Sequence, residues 1–89
     1  MAWLHARHAV ADFEKWKPAF AATAVPRRKR FLVFAVEGNR NDLLVMEEFD
    51  TLEHARAWVD SADHREAMAR AGVSAPEFLF LEEVEEGPS

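Results

Sequence analysis

The side chains of this 89-residue chain that could move a proton near neutral pH are its four histidines; cysteine is absent, so a thiol nucleophile and a thiolate metal site are both excluded. His8 closes a stretch, Ala2–Val10, in which Leu4, Ala6, His8 and Val10 alternate with Trp3, His5 and Arg7. Such alternation predicts a strand with an apolar side, and His8 is on that side. A histidine with a pKa near neutrality can accept a proton from an acidic phenol or hydroquinone, which makes His8 the candidate base. The plainer alternative is a strand-end histidine bonded to a backbone carbonyl. His64, followed by Arg65 and Met68, is a second candidate for proton transfer, although its place near a helix cap predicts a solvent-exposed ring.

Phe13, Trp16 and Phe20 recur at helical spacing and, with Trp58 and Met68, could wall a site for a flat aromatic compound. The same stripe also serves as ordinary core. Trp3, His5 and Arg7 point away from His8 and are expected to meet a partner subunit, where Arg7 and His5 could pair with Glu47 or Glu83 across the interface. No two of His5, His8, His54 and His64 have ligand spacing on one helix, so no metal site is expected. The run Arg27-Arg28-Lys29-Arg30 reads as a solvated connector balanced by Glu82, Glu83, Glu85 and Glu86. It lacks an interleaved aromatic platform apart from Phe31, and the net charge is −5, so nucleic acid is not an expected partner. No Gly-rich phosphate loop is present.

The length suits one domain spanning residues 1–89. No apolar run approaches the roughly 20 residues of a membrane helix, and MAWLHARHAV is not a signal-peptide core. A soluble, cytoplasmic protein is the default expectation.

The elements that would position these residues follow from pattern. Asp12 is a plausible cap for a helix carrying Phe13, Trp16, Phe20 and Ala24, with a kink or fresh start at Pro18. Pro26 and the basic run lead into a strand at 31–37; residues 38–42 read as a hairpin loop, and a third strand covers 43–49. Asp50 and Glu53 resemble a capping box for a helix to about Val59, Ser61 can cap a second piece over 63–71, and Gly72 can end it. Pro76 marks the entry to a last strand at 77–84. The order is β-α-β-β-α-β with a broken second helix, an α+β ferredoxin-like fold in which both crossovers lie on one face of a four-stranded antiparallel sheet. Yet FLVFAV (31–36), LLVM (43–46) and FLFL (78–81) are apolar at every position, as in strands covered on both sides. A second copy of the sheet is the economical cover, so a homodimer is expected.

The segments RHAVADFEKWKPAF (7–20), MEEFDTLEHARAWVDSADHREAMARAGV (46–73) and APEFLFLEE (75–83) resemble the dimeric α/β-barrel superfamily, which includes antibiotic biosynthesis monooxygenase-like and stress-responsive barrel proteins. The resemblance implies two subunits closing a barrel, with a pocket between sheet and helices in each. Members include cofactor-independent oxygenases acting on phenols or quinols, haem-degrading oxygenases and small isomerases. The Asn, Trp and His set of the haem-degrading branch has no clear counterpart, because the first strand carries no Asn. The expectation is therefore a monooxygenase-like enzyme that holds no cofactor and binds a small aromatic compound, with His8 as base. Its rival is a dimeric ligand-binding or stress-response module without chemistry.

Overall fold

Side-chain alternation makes the first strand the hub of the sheet. In the computed structural model, which describes residues 1–88, β1 (Ala2–Val10) is followed by α1 (Phe13–Ala22), β2 (Arg28–Val36), β3 (Asn39–Phe49), α2 (Leu52–Asp60), α3 (Ala62–Arg70) and β4 (Val73–Glu82). The strands pair antiparallel in the order β2-β3-β1-β4. This is the ferredoxin-like α+β arrangement, with the second crossover helix in two pieces.

The inward positions of β1 and β3 meet the helices in two clusters. Ala6, Val10, Leu43 and Val45 pack on Trp16 of α1, while Leu4 and Phe49 pack on Ala55 and Trp58 of α2. Burial of each large apolar side chain contributes roughly 1.5–3 kcal/mol, so these few contacts fix the helices on one face.

Several local expectations are corrected. α1 runs through Pro18 without a break. The proline sits on the exposed side of the helix, where water can take the carbonyl that its missing N–H would have bonded. The N-cap of α2 is Thr51, whose Oγ1 accepts from the His54 N–H at 3.1 Å; Asp50 instead pairs with Lys29 at 2.9 Å. From Arg28 onward the basic run is strand rather than connector. Arg28 bonds Glu47 and Arg30 bonds Glu48, each at 3.0 Å across the β2–β3 ladder, so β2 begins three residues early. β3 likewise starts at Asn39, because the turn closes over Glu37 and Gly38 with Gly38 at φ 85°. Beside it the register skips between Ala35 and Val36. The slack on β3 lets Asn41 Oδ1 accept the Phe13 N–H at 2.9 Å, tying the hairpin to the start of α1.

Candidate active site

His8 occupies an irregularity in the sheet. Arg7 pairs with Glu77 and Ala9 with Ser74, so two residues of β4, Ala75 and Pro76, lie opposite the single residue His8. Ala75 has φ 49° and Pro76 has no amide to donate, which explains why pairing breaks there while β4 continues back to Val73. The imidazole points to the helix side and is buried, with its ring centroid 5.9 Å from that of Trp16. Its Nδ1 is shut off from solvent and has no hydrogen-bond partner. His54 Nδ1 is also unpartnered, but His54 borders a different groove beside Pro26 and Arg27.

His8 lines a cavity of about 50 Å³ between the sheet and the helices, together with Trp16, Phe20, Trp58, His64 and Met68. The volume accommodates one or two water molecules, whereas cavities that take up benzene measure about 150 Å³. A single aromatic ring therefore enters only if side chains give way. Met68, unbranched and half-buried, is built to do so. Phe13 does not line the cavity; it stacks on Trp16 at 6.0 Å, and Trp16 stacks on Phe20 at 4.7 Å.

His64 corrects the expectation of an exposed ring. Ser61 caps α3 by accepting the His64 N–H at 3.1 Å, and this turn folds the imidazole inward between Trp58 and Phe78, at 5.2 and 5.3 Å. Its Nδ1 lies 3.2 Å from the Val59 carbonyl. Burial holds both His8 and His64 below the ordinary pKa; the Ala9 backbone opposes this at His8, the Val59 carbonyl opposes it at His64, and the charge of His64 lowers His8 further. Both rings therefore favour the neutral form, which can accept a proton.

Glu47 was expected at a subunit interface, yet its side chain lines the same cavity. Register explains the correction, because Glu47 lies opposite Leu4 and thus shares the helix face. Burial raises its pKa and the bonded Arg28 opposes the shift. The alternation Leu43, Val45, Glu47, Phe49 carried this signal, but the continuous run LLVM obscured it.

On the opposite face, Trp3, His5 and Arg7 stand beside Leu81, Leu79 and Glu77 of β4 and Glu48, Met46 and Leu44 of β3. Arg7 bonds Asp42 of its own chain at 2.9 Å, and Trp3 Nε1 donates to Glu83 at 3.1 Å. Leu32, Phe34, Leu79 and Leu81 are exposed there. Among the described residues no cluster of three or more His, Asp or Glu side chains could hold a metal, and no helix is long and apolar enough to cross a membrane.

Residues 4–84 match a family described as a domain of unknown function, DUF1330. The chain belongs to the DUF1330 family. No curated protein matches it. Among solved structures, this DUF1330 chain is similar to SnoaB, a cofactor-independent oxygenase from Streptomyces nogalater, with TM-score 0.79, 15% identity, and coverage of 99% of this chain and 97% of that one. A protein provisionally described as an antibiotic biosynthesis monooxygenase from Nitrosomonas europaea gives TM-score 0.71 at 16% identity, covering 96% and 100%. Another so described, from Deinococcus radiodurans, gives 0.69 at 15%, covering 100% and 98%. The expected likeness to antibiotic biosynthesis monooxygenase-like proteins is present in the fold, and identities this low carry the fold alone.

Proposed function

We propose that the cavity beneath the helices binds a small, planar phenol or hydroquinone and that His8 removes its acidic proton, starting a cofactor-independent oxygenation. The observation that carries this reading is the buried imidazole of His8, its Nδ1 without a hydrogen-bond partner in good geometry, on a cavity walled by Trp16, Phe20 and Trp58. An orphaned buried nitrogen costs about 1–3 kcal/mol, and such a cost at a bulge beside a cavity fits a group held ready for a ligand. Neutral imidazole takes the phenolic proton, and the electron-rich ring then reacts with dioxygen. Hydroquinone plus dioxygen gives hydroxyquinone plus water, so the balance needs no external reductant. His64, on the same cavity, would share the proton traffic.

The test is oxygen uptake with a panel of quinols and anthrones, comparing wild type with His8→Ala after circular dichroism shows both folded. Loss of about 100-fold or more is expected for a general base; equal rates remove His8 from the mechanism. One observation favours a second reading, a binding module without turnover. Nδ1 of His64 is held by Val59 and Glu47 is held by Arg28, so the cavity's two other ionisable side chains are already engaged. That reading expects saturable quenching of tryptophan fluorescence and no oxygen uptake.

A homodimer belongs to the same proposal. Leu32, Phe34, Leu79 and Leu81 are exposed on the sheet face that carries Trp3, His5 and Arg7, and grouped exposed apolar side chains of this kind mark interfaces. At ~25 cal/mol per Å², covering ~1,000 Å² of such surface yields a gross driving force well above the association cost of many complexes.

A further inference from the structure

Apart from its two histidines, the cavity is lined by one ionisable side chain, Glu47. Its Oε2 accepts from Arg28 Nη1 at 3.0 Å, and both side chains are largely buried, at 7% and 13% exposure. Arg28 itself packs against two touching rings, its guanidinium carbon 5.2 Å from the centroid of Phe20 and 4.7 Å from that of Phe31. Phe20 lines the cavity and Arg28 does not. The carboxylate thus stands at the cavity wall with its cation behind it.

We propose that Glu47 sets the charge selectivity of this site: by neutralising Arg28 and presenting its own carboxylate to the cavity, it admits uncharged aromatic alcohols and turns away aromatic carboxylates. The inference rests on the cavity being the ligand site and names which members of the phenol class it takes. A carboxylate entering here meets a like charge and finds no lysine or arginine among the described lining residues. In a poorly solvated site, like-charge juxtaposition is strongly unfavourable. Removing the charge of Glu47 while keeping its shape reverses the situation. Arg28 is then an uncompensated buried cation, and a carboxylated ring is its natural partner.

The experiment measures dissociation constants by tryptophan fluorescence for hydroquinone and 4-hydroxybenzoate at neutral pH. Wild type is expected to prefer hydroquinone by at least about tenfold. Glu47→Gln is expected to lose that preference or invert it. Equal affinity of wild type for the two compounds overturns the proposal and requires no variant to fold. Hydroquinone binding with the same selectivity in folded Glu47→Gln also overturns it, while leaving the cavity as the ligand site. If neither compound binds wild type, the ligand-site reading fails first and this inference fails with it.

Discussion

His8 and His64 are two bases kept neutral by burial, and that state has a measurable consequence for stability. Both are held below the ordinary 6.5, so the unfolded chain binds more protons than the folded one in the window beneath that value. Their contribution is complete above 6.5 and is lost as pH falls through their lowered values. Glu47 runs the other way. Its raised pKa favours the folded state at low pH, and this advantage is lost as pH rises from 4.5 through the raised value. Two histidines against one carboxyl predict a melting temperature that drops between pH 7 and 5.5, and a shallower drop in the His8→Gln/His64→Gln variant. An unchanged slope in that variant would assign the acid sensitivity to other groups.

At the scale of elements, one hydroxyl organises the broken second crossover. Ser61 Oγ donates to the Trp58 carbonyl at 2.6 Å, ending α2, and accepts the His64 N–H, starting α3. Ser61→Ala should cost about 1 kcal/mol, the usual value of a lost N-cap, measured by urea denaturation. It should also loosen His64, so cavity ligands should weaken in the same variant. No change in either quantity would mean that the helix pair is set by packing alone. The element order and this cap were legible in the sequence, because Ser61, Gly72 and the apolar spacing act within a few residues of one another. The early start of β2 was not, since it depends on Arg28, Arg30 and Lys29 finding Glu47, Glu48 and Asp50 on the neighbouring strand and just beyond its end, and the early start of β3 depends on which residues close the hairpin turn. His8 was readable on its strand by alternation. Its setting opposite Ala75 and Pro76 was not, because a bulge appears only once two strands are in register. The inward turn of His64 was hidden because it depends on how α3 packs against Trp58 and Phe78, and the facing of Glu47 because the continuous run LLVM masks the alternation.

For the whole molecule, the apolar sheet face makes mass the decisive measurement. Light scattering at micromolar concentration should give about twice the 10.2 kDa chain mass, as a stable apolar interface requires. Phe34→Asp, at a side chain 52% exposed on that face, should shift the mass to a monomer while leaving the fold intact. A monomeric wild type would show that the exposed leucines and phenylalanines serve some other cover. The two sheet edges call for a separate account, since a strand edge can recruit further chains without limit and lead to fibres. β2 starts with Arg28, Lys29 and Arg30, which put charge at that end of the edge strand. β4 carries the Ala75–Pro76 irregularity, where a proline cannot donate and a left-handed residue turns the backbone out of line. The distortion that makes room for His8 thus also acts as a stop against strand-by-strand polymerisation, so a change that straightens it would put solubility at risk along with the site.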